Sequence, residues 1–155
     1  LLTPADAMGD YSSLKEMREA DAWPTLNEAS GKVLVLLHDT TVTDKYIGQD
    51  KSIKTQAMFP MLRYDDIDKS YASFIIMNDA DDAYEHRAEV IGEKKLMVRT
   101  RADTFSDVDE ENIAYAKASG AQIVSTDHPP KTDMTGIDTV TSFDGYTIRL
   151  NRSEI

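Results

Sequence analysis

Two arginines separated by one residue, Arg99 and Arg101, interrupt an apolar stretch of the chain, LMVRTRAD at residues 96–103. The three apolar residues that open this stretch are typical of a buried strand. Residues two positions apart in a strand point to the same face, so both guanidinium groups are expected on one side. An unpaired buried charge costs on the order of several kcal/mol, so the pair requires an anionic partner.

Two kinds of partner are compatible with this arginine pair. Carboxylates inside the fold would make Arg99 and Arg101 part of a structural ion-pair network. An anionic ligand would instead make them a binding site, because the planar guanidinium group holds oxyanions in bidentate contacts better than lysine does. The sequence leaves both possibilities open.

Short apolar runs that resemble buried strands recur along the chain. Between the first two of them, residues 40–52 are polar and are predicted to form a loop. Residues 54–72 are predicted to form a helical layer, interrupted at Pro60. The predicted strands are residues 31–39, 73–79, 96–103, 122–129 and 145–151.

Segments with helical spacing of apolar residues lie around and between these strands. Pro24 and Gly92 are expected to stop the first two helices. Ser106 and Asp109 have the spacing of a capping box, and Gly120 is expected to close the third helix. The predicted helices are residues 12–23, 81–95 and 106–121.

Apolar strands that alternate with helices indicate an α/β fold with a parallel sheet covered by helices. Because parallel strands need right-handed crossovers, the chain is predicted to be a piece of a barrel or of a doubly wound sheet. No glycine-rich phosphate-binding motif follows any predicted strand, which argues against a dinucleotide cofactor. The 155 residues are predicted to form one segment of a single domain, residues 1–155.

The composition narrows the possible partners. The chain has 17 Lys and Arg against 28 Asp and Glu, and its net charge of -11 argues against nucleic acid. The absence of cysteine excludes disulfides and zinc-thiolate sites. The sequence contains no apolar run of about 18 or more residues, so no transmembrane helix is predicted. Since the chain begins with Leu1 and not with methionine, an upstream segment is expected to have been removed.

Polar residues cluster where each predicted strand ends. In parallel barrels the carboxyl ends of the strands form the active-site face, so these side chains are expected to converge on one mouth. Each one taken alone is also compatible with a loop cap or a solvated turn. The residues are His38 with Asp39, Asn78 with Asp79, Arg99 and Arg101 with Asp103, and Asp127 with His128.

Four stretches of the chain resemble one known family. Three lie near the carboxyl end, namely VRTRAD, ASGAQIVSTDHP and GYTIRLN, and the fourth is the upstream run DYSSLKEMREADAWPTLNEASGKVLVLLHD. They are similar to the C-terminal part of the bacterial calcium-dependent phosphoinositide phospholipase C family, within the phospholipase C-like phosphodiesterase barrels. The resemblance covers nearly the whole chain in the family's order. It implies an α/β segment comprising about strands 4 to 8 of a TIM-barrel-type phosphodiesterase.

This resemblance also implies what the chain would lack. The family's catalytic histidines and most of its calcium ligands lie on the first three strands, so they are expected upstream of Leu1. The segment alone is then expected to be inactive, with calcium as the cofactor of the complete barrel and the missing N-terminal half as its partner. The resemblance implies a secreted or periplasmic bacterial protein.

The resemblance assigns the predicted site residues to a substrate-binding role. Arg99 and Arg101 would contact the phosphate and headgroup of phosphatidylinositol or a similar phosphodiester. His38 stands where relatives often have lysine, although it could simply hydrogen-bond Asp39. Asn78 could hydrogen-bond a hydroxyl group of the substrate, and Asp127 could pair with one of the arginines.

Two other functions remain open in the sequence. The chain could be a non-catalytic α/β domain that binds an anionic ligand through the same arginines. It could also be an α/β protein without a ligand, which would require Arg99 and Arg101 to be fully paired by internal carboxylates. His128, which precedes two prolines, is interpreted as a surface residue rather than as a catalytic base.

Overall fold

The computed structural model describes residues 1–49, 51–104 and 106–127. Contacts between residues divide the chain into two compact units. Of the described residues, the first unit comprises those in Leu1–Ile75 and Lys94–Leu96, and the second comprises Ile76–Glu93 and residues 97–104 and 106–127.

Parallel strand pairs form the sheet, in a spatial order that follows the chain, β1-β2-β3-β4-β5. The pairs β1 with β2, β2 with β3 and β4 with β5 are parallel. This order is that of a TIM-barrel-type sheet and confirms the predicted α/β class. The strands are β1 (Leu36–Leu37), β2 (Phe59–Leu62), β3 (Phe74–Ile76), β4 (Met97–Arg101) and β5 (Ile123–Ser125).

Strand β2 corrects the prediction of a helical layer at residues 54–72. Proline has no N–H, which normally keeps it out of central strands. The backbone N–H of Phe59 donates a hydrogen bond of 3.0 Å to the chain of the β1 side. Pairing with β3 begins only at Met61. Pro60 therefore lies where no donor towards β3 is needed. The described residues hold five strands, where the sequence predicted four before residue 128.

Short helices connect the strands, together with single turns of other helix types. Thr40–Val42 and Tyr64–Asp66 are 3-10 helices, and Ala88–Glu93 is a π-helix. The α-helices are α1 (Pro4–Met8), α2 (Leu14–Glu19), α3 (Leu26–Ala29), α4 (Thr43–Ile47), α5 (Ala80–Glu85) and α6 (Glu110–Ala118).

The first predicted helix, residues 12–23, does not reach Pro24. Helix α2 ends at Glu19, and the chain turns at Asp21, where φ is 54°.

Three further local predictions about these helices are wrong. The predicted loop at residues 40–52 contains a 3-10 turn and α4, whose Ile47 is buried and anchors it in the first unit. Gly92 does not stop a helix but lies inside the π-helix, and the chain turns at Lys95, where φ is 53°. Asp109, not Ser106, caps α6, because its carboxylate accepts the backbone N–H of Glu111.

The end of α6 is as predicted. Gly120 follows the helix with φ of 75°, a left-handed conformation that glycine adopts without the steric cost of a Cβ atom. The helix packs its apolar side on a small core of the second unit. Four buried residues form this core: Ala80, Ala102, Ile113 and Ala116.

Aromatic rings and helical side chains form the core of the first unit. The ring of Phe74 on β3 meets Trp23 and Phe59 edge-on, with centroids 5.5 Å and 5.2 Å away. The Trp23 indole N–H donates to the carbonyl of Lys95 at 2.9 Å. Leu14 and Met17 of α2 are completely buried in the same unit.

A completely buried arginine, Arg18, lies on the same face of α2. Its Nε donates to the carbonyl of Ala72 at 3.0 Å, and its Nη2 donates to the carbonyl of Ile67 at 2.7 Å. Its Nη1 donates to the carbonyl of Lys94. Burial lowers the pKa of Arg18, and the charges of nearby acidic residues oppose this shift. One side chain thus holds the segments that lead into β3 and β4.

Within the described part of the chain, none of the helices has the length and apolar character that crossing a bilayer requires.

Replacing Arg18 by methionine should destabilise the protein strongly. The apolar side chain would leave two buried carbonyls and the partly buried carbonyl of Lys94 without their donor. We therefore expect the free energy of unfolding to fall by about 3–5 kcal/mol. Urea-induced unfolding followed by circular dichroism measures this. As a control, Lys15→Met removes a partly exposed ion pair with Glu19 and should change stability by no more than about 0.5 kcal/mol. Equal effects of the two substitutions would contradict the central role of Arg18.

Candidate anion-binding site

Strand β4 presents its two arginines on one face, as strand geometry requires. Along Met97–Arg101, exposure alternates: Val98 and Thr100 are completely buried, whereas Arg99 and Arg101 are half-buried. The apolar core of the second unit thus faces one side of the strand, and both guanidinium groups leave from the other. The sequence prediction of a shared face is confirmed for these two side chains.

Arg99 is held by two neutral side chains. Its Nη1 donates to the Oδ1 of Asn78, which follows β3, and its Nη2 donates to the Oγ of Ser125 at 2.6 Å. Neither acceptor carries a charge, so the positive charge of Arg99 is oriented but not neutralised by them. A guanidinium group has five N–H donors, and these two bonds leave further donors for other acceptors.

The pairing of the strands places these acceptors. Ser125 is aligned with Arg101 in the β4–β5 register, and its carbonyl accepts the N–H of Ala102 at 2.9 Å. Beyond the end of β3, the N–H of Met77 donates to the carbonyl of Arg99 at 2.9 Å, which brings the following Asn78 beside the arginine. Neighbouring strand ends thus assemble the group that we name the arginine cluster: Asn78, Arg99, Arg101, Ser125 and Asp127.

The electrostatics of the cluster show an excess of positive charge. Burial lowers the pKa of Arg99, the charge of Arg101 lowers it further, and Asp127 raises it. A guanidinium group nevertheless stays charged at physiological pH. Among the described residues, ion pairs join Lys15 with Glu19 and Asp68, Arg63 with Asp66, and Lys94 with Asp68.

Neither arginine of the cluster is part of those ion pairs. Arg101 repels Arg99, and no described carboxylate lies within ion-pair distance of either one. Full internal pairing, which the structural interpretation of the arginines required, is therefore not found in residues 1–49, 51–104 and 106–127. The arrangement is suited to an anion that bridges both cations.

Asp127 and Asp103 have roles different from those of ion-pair partners. Asp127 is exposed and influences Arg99 through its charge rather than through a direct contact. Asp103 is buried, and its carboxylate accepts the hydroxyl of Thr126 at 2.5 Å and the N–H of Asp127 at 2.7 Å. The buried carboxylate is thus used by the chain that follows β5.

His38 lies in the first unit, directly after β1, and is exposed. Thr41, rather than His38, holds the carboxylate of Asp39. The Oδ1 atom of Asp39 accepts the N–H and the hydroxyl of Thr41 at 2.9 Å and 2.6 Å. These two bonds are the main reason why the pKa of Asp39 is lowered, and the charge of His38 contributes less. His128 and the predicted strand at residues 145–151 lie outside the described residues.

One residue of the arginine cluster, Ser125, was missed in the sequence. Ser125 is a common residue type at a strand end, and only the register of β4 and β5 brings it to Arg99. Asp103 was noted as a polar strand end, but its burial depends on the same register. Asn78 and Arg99 were predicted, and the structure brings them into direct contact.

A calcium site is not formed by the described residues alone. They contain no group of three or more histidine, aspartate or glutamate side chains placed to hold a metal ion. Calcium prefers six to eight oxygen ligands, many of them carboxylates. Asp103 does not fit this requirement, since it is buried and bonded to the chain after β5.

A parallel α/β sheet in sequential strand order is typical of a portion of a TIM-barrel-type domain. A comparison with protein families matches residues 1–154 to the Ca2+-dependent phosphoinositide phospholipase C family. The chain belongs to this family, which confirms the resemblance found in its motifs. No curated protein and no solved structure matched the chain in the corresponding comparisons.

Removing the hydroxyl of Ser125 should loosen Arg99 while preserving the fold. In Ser125→Ala, one N–H of Arg99 loses its acceptor, and we expect affinity for inorganic phosphate to fall by about three- to tenfold. Isothermal titration calorimetry measures the change. Ser70→Ala is the matched control, because its hydroxyl donates to the carbonyl of Lys51 in the first unit. An equal loss of affinity in both variants would show that Ser125 has no specific role.

Proposed function

We propose that this chain contributes the phosphate and headgroup contacts of a phospholipase C-like phosphodiesterase that cleaves phosphatidylinositol or a similar phosphodiester. One observation carries the proposal: two cations on one strand face, Arg99 and Arg101, have no described carboxylate within ion-pair distance. Membership of an enzyme family named for phosphoinositide cleavage supports the choice of a phosphodiester as the anion.

The orientation of Arg99 suits transition-state stabilisation. When a nucleophile attacks a phosphodiester, negative charge grows on the non-bridging oxygens of the phosphorus. Asn78 and Ser125 already hold the guanidinium group in place, so little reorganisation is needed as this charge develops. Because both acceptors are neutral, they do not compensate the charge of the arginine, which can act on the phosphate.

The proposed reaction is an intramolecular transfer at phosphorus. The inositol 2-hydroxyl oxygen bonds to phosphorus as a base removes its proton, and the bond from phosphorus to the diacylglycerol oxygen breaks. An acid protonates the departing oxygen, which gives diacylglycerol and a cyclic inositol phosphate. The base and the acid are proposed to lie on strands upstream of Leu1, so the segment alone is proposed to be inactive.

Further parts of the proposal rest on the family rather than on described contacts. Calcium is proposed as the cofactor because the family is described as Ca2+-dependent. The missing N-terminal strands of the barrel are proposed as the structural partner, and a secreted or periplasmic location is proposed for the protein. Residues 1–155 are then one segment of a single barrel domain.

The remaining predicted site residues keep proposed roles. Asn78 would orient Arg99 and could also meet a hydroxyl group of the headgroup. Asp127 would balance part of the positive charge when no substrate is bound. His38, which is exposed directly after β1, keeps the role in headgroup binding that the family resemblance implies.

Substituting each arginine of the pair tests the proposal. In the full-length protein, Arg99→Met and Arg101→Met should each lower kcat/KM for phosphatidylinositol by about 100-fold or more. Arg99→Lys should recover only part of this loss, because lysine keeps the charge without the planar fork. Cleavage of phosphatidylinositol in mixed micelles with calcium present measures the rates.

The control is a third arginine of the same unit. Arg87 stacks on the ring of Tyr84 at 3.9 Å and donates to the carbonyl of that residue, so it has a local structural role. Arg87→Met should leave kcat/KM within about twofold of the original value. A similar loss in all three methionine variants would refute a specific role for the pair. Binding of phosphate without any cleavage by the intact protein would favour a non-catalytic anion-binding domain.

A further inference from the structure

Asp103 is a buried carboxylate whose negative charge is not balanced by an ion pair among the described residues. Its side chain has only 1% of its surface exposed. Both carboxylate oxygens are nevertheless used, Oδ2 by the hydroxyl of Thr126 and Oδ1 by the N–H of Asp127. Burying a carboxylate is costly unless hydrogen bonds compensate the loss of water, and these two bonds provide that compensation.

The two bonds lengthen the pairing between β4 and β5. Backbone pairing of the two strands ends at Arg101 and Ser125, followed by one further bond from the N–H of Ala102. Beyond that point the Asp103 side chain supplies the acceptors that a backbone would supply within the sheet. Thr126 and Asp127 therefore stay bound to the end of β4 instead of leaving as a loose loop.

This fixed segment carries groups that act on Arg99. Ser125, immediately before it, accepts a hydrogen bond from Nη2 of Arg99 at 2.6 Å. Asp127, at its end, acts on Arg99 through its charge. Any freedom at Thr126 would move both groups, because they are its direct neighbours in the chain. Asp103 itself makes no described contact with either arginine.

We propose that Asp103 is a positioning residue of the arginine cluster. It fixes Ser125 and Asp127 relative to Arg99 and does not touch the ligand. The proposal rests on the proposed function, because an anion bound by Arg99 is what this geometry serves. It adds a specific requirement, namely that the affinity for the anion depends on a buried carboxylate behind the site.

The chemistry of the carboxylate predicts a graded series of variants. Alanine removes both acceptors. Asparagine keeps one acceptor for the N–H of Asp127, and its amide can donate to the hydroxyl of Thr126, which has lone pairs. Bonds to a charged acceptor are about twice as strong as neutral ones, so asparagine should hold the segment less well than aspartate. Because asparagine still makes both bonds and alanine makes neither, Asp103→Asn should have a smaller effect than Asp103→Ala.

The first experiment measures binding of myo-inositol 1-phosphate to the full-length protein by isothermal titration calorimetry. Asp103→Ala should weaken binding by about tenfold and Asp103→Asn by about threefold. The matched control is Asp66→Ala, which removes another buried carboxylate, one that accepts from Arg63 in the first unit. This control should lose thermal stability but keep the original affinity. Equal losses of affinity in Asp103→Ala and Asp66→Ala would overturn the positioning role.

A pair of milder variants covers the case in which Asp103→Ala does not fold. Thr126→Val removes the hydroxyl that donates to Asp103, whereas Thr126→Ser keeps it. The valine variant should weaken binding by about threefold, and the serine variant should restore the original affinity. If valine and serine give the same affinity as the original protein, the contact has no positioning role.

A second measurement separates this proposal from the proposed function. The Nε–H signal of Arg99 in a nitrogen-proton NMR spectrum reports the order of that side chain without any ligand. It should shift or broaden in Asp103→Asn and in Thr126→Val, and stay unchanged in Asp66→Ala. An unchanged Arg99 signal in the first two variants would overturn the positioning role. If the signal responds but no anion binds, the proposed function fails while the positioning of Arg99 stands.

Discussion

The hydrogen bonds of Arg18 are the interaction on which the described structure depends. One guanidinium group in the core of the first unit donates to the carbonyls of Ile67, Ala72 and Lys94. The last two carbonyls belong to the segments that enter β3 and β4. Asn78 follows the other end of β3 and Arg99 lies in the middle of β4, and their contact begins the arginine cluster. Arg18 thus binds the backbone just before two strands begin, and the polar contacts of the cluster lie further along the chain.

Arg18 and Arg99 illustrate two uses of the same side chain. Arg18 is completely buried, and backbone carbonyls accept from three of its nitrogens. Arg99 is half-buried, and only two neutral side chains orient it. Burial lowers the pKa of both residues, but the charge of Arg101 adds to the effect at Arg99. The first arrangement directs all three nitrogens of the guanidinium group at the protein backbone, whereas the second leaves donors for an external anion.

The sequence predicts the parts of the fold and the site that depend on local spacing. Alternation along β4 places Arg99 and Arg101 on one face, and the position of Asn78 after an apolar run places it at a strand end. Ser125 could not be found in this way, because its contact with Arg99 depends on the register of two strands. Arg18 did leave a signal, since it follows the buried Leu14 by four residues and so shares its helical face. A charged residue at that spacing would have indicated a buried donor.

The proline in β2 has a consequence for how the sheet selects its alignment. Pro60 tolerates its position because pairing with β3 starts one residue later. If β2 slid by one residue, every side chain would move to the opposite face, and the residue without an N–H would stand where a donor is required. The shifted alignment would therefore bury an acceptor with no donor as well as expose the side chain of Phe59. Pro60 makes this strand hard to recognise in the sequence. The same residue disfavours a misfolded sheet in which β2 pairs in the shifted register.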